Sequence, residues 1–292
     1  MNNSLKIGII AGIIAGIIAG ISYIIAVRMV VYIGPYLPEL RSVILNAYEA
    51  NLIIPIIWGI LGGVIYTRAY NVIPGKGISK GIFYGFILFL LSYVQNNSFT
   101  LAYGYYLDVA GHIFSGFFQW IAYGFVLGIL YEYLRGRYPI AKKEPKIITY
   151  AVMGGILPGA IAGLADGIGA ALANAIASIT GLYGPEVMAG APNIFTFDFW
   201  VYQSGSHILV NLIWGIVIGM IFTQVYNLVP GKGVIKGLCY SIIICTLSTF
   251  FAAAYWFGWG LFAIAWWAFW VGIFSTATTL GIVLGALYKP TK

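Results

Sequence analysis

Charge is what this sequence has least of. Only 8% of its 292 residues are charged, 15 of them basic and 8 acidic, against roughly 25% in a soluble domain. Too few charges are present to solvate a globular surface, which excludes an ordinary soluble fold. Cysteine is nearly absent too, which excludes a disulfide scaffold. Cys239 and Cys245 fall in one apolar run, about 240° apart on a helix, too splayed to bridge. They fit as small core residues. Histidine occurs twice, as His112 and His207. With no CxxCH, metal-spaced Cys/His cluster, nucleophile elbow or dinucleotide fingerprint, soluble-type catalysis has no support. Alternation over ~10-residue strands is missing as well, which argues against a transmembrane barrel.

What fills the chain is apolar: 61% of residues are hydrophobic and the mean hydropathy is +0.93. Runs reach the ~20 residues that cross a bilayer core. They are Ile7–Tyr32, Ala50–Ala69, Ile78–Val94, Ile113–Leu134, Ile147–Ile179, Ile208–Tyr226, Val234–Phe250 and Phe262–Leu287. The sequence thus predicts an all-α, polytopic transmembrane helical bundle of about eight spans. The first run exceeds a signal-peptide core of about 7–15 residues, so no cleavage is expected. The net charge of +7 sorts by side. Thirteen of the 15 basic residues fall in one set of alternate connections, leaving Arg28 and Arg41 for the other. That is the positive-inside pattern. It predicts a multi-pass protein of the plasma membrane with both termini cytoplasmic, and it accounts for the charge without nucleic acid.

The chain repeats itself. Residues 57–84, IWGILGGVIYTRAYNVIPGKGISKGIFY, match 213–240, IWGIVIGMIFTQVYNLVPGKGVIKGLCY, at 16 of 28 positions. Upstream, GIIAGIIAGI (8–17) answers GAIAGLADGI (159–168). Two tandem four-helix repeats are therefore expected, over 1–140 and 141–292. Four spans are an even number, so both copies should insert in parallel orientation. Within each copy GxxxGxxY/F recurs, as Gly59-Gly63-Tyr66, Gly124-Gly128-Tyr131, Gly215-Gly219-Phe222 and Gly281-Gly285-Tyr288. In lipid, helices associate by close contact through small residues, and the ridge Gly8, Gly12, Gly16, Gly20 fits that use. The features WGxxxGxxY, PGKG and KGxxY, covering about 30 residues of each copy, resemble those of uncharacterised bacterial and archaeal multi-pass membrane proteins built from glycine-rich four-helix units. The resemblance implies no activity.

Four groups of residues are candidates for chemistry. Asp166 lies about 19 residues into the fifth run, near the midplane, where a bare carboxylate is expensive. Pro158 is expected to remove a helix hydrogen bond two turns before it, and Gly163, Gly167 and Gly169 to loosen the same stretch. An acid beside weakened helix resembles a transporter ion or proton site. A hydrogen-bonded acid joining helices is the plainer alternative. Its first-copy counterpart, by alignment of the two glycine ridges, is Ala15. Two polar stripes enter from outside: Asp108, His112, Ser115, Gln119 and Tyr123 on one helical face of the fourth span, and Ser204, His207 and Asn211 on the sixth. They would line a vestibule toward Asp166, or hydrogen-bond between helices with Asp108 as an N-cap. If those spans touch, His112 and His207 would ligate a b-type haem; no other cofactor is expected. Last, Lys76 and Lys80, repeated as Lys232 and Lys236 after a Pro-Gly turn, would seat an anionic lipid head group or serve only as basic anchors.

The function that fits these features is a transporter or channel for a small solute, ion or lipid, with a pathway between the repeats. The alternative is a non-catalytic membrane subunit of a larger respiratory or secretion complex, with membrane-protein partners.

Overall fold

The computed structural model describes residues 3–33, 47–94, 106–137, 153–179, 205–258 and 262–290. The linker lysines 142–146, the sequon at Asn96 and the aromatic stretch 183–204 lie outside the described residues. All regular structure among them is helical: α1 Asn3–Ile33, α2 Tyr48–Ala69, α3 Gly77–Phe89, α4 Tyr106–Arg137, α5 Ile156–Ile179, α6 Gly205–Val225, α7 Gly233–Leu247, α8 Thr249–Gly258, α9 Phe262–Gly272 and α10 Gly281–Leu287. A π-helical segment, Leu90–Val94, extends α3, and a second, Ile273–Leu280, joins α9 to α10. Eight helical stretches are long and apolar enough to cross a membrane. The protein is a multi-pass membrane protein.

The chain divides into two compact units, residues 1–146 and 147–292 apart from the short stretches 98–104 and 258–260. In the first, α1 packs on α2 and α4, and α3 packs on α4. In the second, α5 packs on α6 and on the π segment Ile273–Leu280, and α7 packs on that segment and α10.

Within each unit glycine lets the helices meet backbone to backbone, because in lipid their association relies on close packing and interhelical hydrogen bonds. A Cβ on Gly8 would fall 2.6 Å from the Gly63 carbonyl oxygen, and one on Gly16 at 2.6 Å from that of Pro55; Gly12 abuts the Gly59 carbonyl. In the second unit Gly155, Gly159 and Gly163 meet the carbonyls of Gly219, Gly215 and Asn211 in the same order. This contact register pairs Gly8 with Gly155 and Gly16 with Gly163. Asp166 therefore stands where the first unit has Ala19, one turn beyond the Ala15 that sequence alignment suggests.

Pro158 is also corrected. Helix α5 begins at Ile156, after a turn at Gly155, so the proline occupies its first turn. Backbone N–H groups there have no intrahelical partner to lose, so Pro158 removes no hydrogen bond from α5. Breaks occur elsewhere. Ser92 Oγ donates to Leu88 O at 2.6 Å where α3 gives way to π-helix, and Ser248 Oγ donates to Ile244 O at 2.8 Å where α7 ends. Serine back-bonding of this kind bends helices.

The PGKG turns close alike. Gly75 and Gly77 have φ of 95° and 51°, Gly231 and Gly233 of 91° and 50°. These left-handed conformations strongly favour glycine. Between each pair the lysine is extended, and the next helix starts at once.

Candidate functional site

Asp166 is the eleventh of the 18 residues in the span Ile156–Ala173, and it is 1% exposed. It faces the π segment Ile273–Leu280, where Thr276 Oγ1 donates toward its two carboxylate oxygens at 3.4 and 3.5 Å. Both distances are long for an O–H···O bond, whose mode is about 2.7–2.8 Å. The Ser275 hydroxyl also lies against the carboxylate while it bonds to Val271 O at 2.8 Å; Thr278 Oγ1 and Thr279 Oγ1 are committed to Ile273 O and Phe274 O, both at 2.7 Å. Cys245 on α7 is fully buried nearby, its thiol directed to Gly272 O at 3.4 Å. Among the described residues no cation pairs with the acid. A π segment shifts each hydrogen bond by one residue and recurs at functional sites; here it carries the hydroxyl that meets Asp166.

The sixth-span candidate Asn211 is buried at 3% exposure, and its carbonyl abuts Gly163, three residues from Asp166. The side chains of Asp108 and His207 lie outside the described residues, and so does the His112–His207 haem pair. His112 itself is half-buried. The inner part of the fourth-span stripe is fully buried in the first unit: Ser115, Gln119 and Tyr123 are each 0% exposed. Their bonds run between helices. Gln119 Oε1 accepts from Tyr93 at 2.5 Å, and Tyr123 donates to Gly59 O at 2.7 Å. The Ser115 hydroxyl has no partner among the described residues.

The lysine pairs separate into two kinds. Lys76 and Lys232 are exposed within the turns, whereas Lys80 and Lys236 are each 8% exposed. Lys80 Nζ donates to Tyr70 O at 2.7 Å and lies 4.0 Å from the Tyr70 ring centre. Lys236 Nζ donates to Tyr226 O at 2.7 Å and lies 4.2 Å from that ring. Each ammonium thus satisfies a carbonyl left over where the preceding helix ends. No family model matches the chain, nor does any curated protein or solved structure. The functional reading therefore rests on the geometry of the chain itself.

Behind each lysine is an aromatic cluster. Tyr66 contacts Tyr70, Tyr84 and Tyr131 with ring centres 5.6, 5.1 and 5.1 Å apart. Phe222 contacts Tyr226, Tyr240 and Tyr288 at 5.3, 4.8 and 5.4 Å. Tyr84 donates to Gly62 O at 2.8 Å and Tyr240 to Ile218 O at 2.9 Å, tying α3 to α2 and α7 to α6. The repeated KGxxY is thus one device: lysine to carbonyl, glycine to backbone, tyrosine across to the preceding span. In the first unit Tyr70 also donates to the Glu132 carboxylate. Burial, and next that hydrogen bond, hold the Tyr70 phenol up to about 12.

Thr276, Tyr93 and Glu132 were not singled out by sequence. The hydroxyl-rich run IFSTATTL in the eighth span was the available signal for Thr276.

Proposed function

We propose that the protein is a transporter or channel for a small solute, ion or lipid, with Asp166 as its ion- or proton-binding group. The observation that carries this reading is a fully buried carboxylate at mid-span, met only by the hydroxyls of Ser275 and Thr276 beside π-helical backbone and, among the described residues, by no cation. A charge at that depth is costly, so the acid is offset by a bound proton or a bound cation. The wider reading is a duplicated four-helix unit, 1–140 and 141–292, with both copies inserted the same way and cytoplasmic termini in the plasma membrane. Supporting it are the 16 identities in 28 positions and the basic asymmetry of the connections, along with the matching lysine and tyrosine bonds of the two units.

The test is Asp166→Asn. Asparagine still hydrogen-bonds to Thr276, so a purely structural acid predicts near-normal behaviour. A functional one predicts a folded protein whose solute or proton flux in liposomes, or the pH dependence of that flux, is lost. Flux equal in both, or absent from both across a broad solute panel, would favour the subunit of a larger complex. Stoichiometric co-purifying partners would then be expected.

A further inference from the structure

Lys80 and Lys236 hold equivalent carbonyls at the same distance, yet among the described residues only Lys80 has an acid nearby. In the first unit α4 runs on past Tyr131 to Arg137, and its last turns carry Glu132 and Arg135. Tyr70 donates to the Glu132 carboxylate, the Arg135 guanidinium lies 4.5 Å from the Tyr70 ring centre, and Tyr70 is 9% exposed. Glu132 and Arg135 act on the charge of Lys80 in opposite senses, Glu132 the more strongly. In the second unit α10 stops at Leu287, where Tyr288 turns extended with ψ 118°. The residue after it is an exposed lysine, Lys289, where the first unit has Glu132. The turn that covers Tyr70 has no equivalent there, and Tyr226 is left half-buried.

Lys236 is nonetheless as buried as Lys80. One of its three N–H groups goes to Tyr226 O. Among the described residues of this unit the sole acid is Asp166, which lies near Cys245. That is nine residues, or roughly 13 Å, further along α7. Buried charges are as a rule paired, and among the described residues no acid pairs with this one. The geometry points to a seat for an external phosphate anion at Lys236 and Tyr226, in the place that the first unit closes with its own Glu132. Among the described residues two ammonium N–H groups and the Tyr226 hydroxyl have no acceptor and are placed to meet phosphate oxygens, and the exposed Lys232 and Lys289 add positive field at the rim. The phosphate is either the head group of an acidic phospholipid or a free ion. This inference stands apart from the transport reading and does not involve Asp166.

The two units supply paired tests in the full-length protein. Native mass spectrometry with phosphatidylglycerol should show one lipid retained by the wild type. Lys236→Gln, which keeps an N–H donor but loses the charge, should weaken retention about fivefold, the effect of one lysine charge near a membrane surface. Lys80→Gln should leave retention unchanged, its charge being answered by Glu132. Glu132→Gln should open the first unit and add a second lipid, and it does not depend on the folding of Lys236 variants. Phosphorus NMR with inorganic phosphate in zwitterionic detergent separates the sources: saturable binding lost in Lys236→Gln assigns a free ion, and binding seen with the lipid alone assigns the head group. Equal losses in Lys80→Gln and Lys236→Gln, no gain in Glu132→Gln, or binding of neither probe would overturn the proposal.

Discussion

Replacing Gly63 by alanine tests whether backbone contact is what holds α1 on α2. A Cβ there would sit 2.9 Å from Gly12 Cα and 3.1 Å from Gly12 N, and closer still to the Gly8 carbonyl oxygen. All three are backbone atoms, so no side-chain rotation relieves the clash and the helices must part. Carbon–carbon contact is optimal at about 3.5–4.0 Å, and a gap of about 0.5–1 Å already forfeits a quarter to a half of the attraction. The loss extends to Gly8, Gly12 and Gly16, which share the seam. Overpacking of a tight interior costs about 1–3 kcal/mol, and in lipid no hydrophobic force between helices offsets it. Gly63→Ala should therefore lower the unfolding free energy by that amount in a mixed-micelle denaturation series. Gly219→Ala should do the same, since its Cβ would fall 2.6 Å from Gly159 Cα. Gly136→Ala is the control: nothing lies within 4 Å of it, and helix propensity alone predicts a gain of up to about 1 kcal/mol. If the seam variants prove as stable as Gly136→Ala, close packing is not what holds these helices.

Tyr84→Phe and Tyr240→Phe each delete one hydrogen bond between spans and should cost about 0.6 kcal/mol apiece, up to about 1.7; no change in either would show that the KGxxY tyrosines only fill space. The Tyr70 phenol is held neutral up to about 12 against an ordinary 10, so its stabilisation is complete below pH 10 and is lost as pH rises toward 12. Tyr70→Phe should accordingly flatten the alkaline fall of the unfolding midpoint, and an undiminished fall would refute this. Cysteines introduced at Ser98 and Lys143, in a background with Cys239 replaced by serine, should label from opposite faces of sealed cells with an impermeant reagent; labelling from one face would sink the eight-span topology.

Much of the fold was legible because membrane spans announce themselves by composition. All eight apolar runs became helical stretches able to cross a bilayer. The glycine ridge was legible too, since every-fourth-residue spacing leaves few other uses. What sequence could not supply was register and local geometry. A four-residue glycine repeat matches itself equally well when slid by one turn, so the alignment that paired Asp166 with Ala15 was degenerate; backbone contacts with Gly59 and Gly215 remove the ambiguity in favour of Ala19. Pro158 misled for a related reason. Hydropathy continues through 147–155, and only the helix start at Ile156 shows that the proline sits in a first turn. The π segment was invisible, because hydropathy registers residue type and not hydrogen-bond register, and nothing in IFSTATTL shows that Thr278 and Thr279 reach carbonyls five residues back. Of the candidate site, Asp166 was legible by its cost and Thr276 was not.

The two units agree where they are built of backbone contact and diverge in the polar residues buried at mid-depth. Lysine-to-carbonyl and tyrosine-to-carbonyl bonds agree within 0.1 Å between them, and the glycine contacts follow the same order. Such contacts tolerate little change, since any added atom lands on backbone. At mid-depth the constraint relaxes. The first unit places alanine at position 19, with the Tyr93–Gln119 pair as its buried polar contact; the second places aspartate at 166 beside Thr276 and a stretch of π-helix. The first arrangement is an amide oxygen accepting from a phenol and carries no charge. The second holds an ionisable group that meets only the hydroxyls of Ser275 and Thr276, next to backbone whose hydrogen bonds are displaced by one residue. A scaffold that needed only stability would gain nothing by exchanging the neutral pair for the acid. Asp166 is thus the position where a structural role is the more expensive explanation, which is why its substitution by asparagine, with hydrogen bonding kept and charge removed, is the change that bears most directly on function.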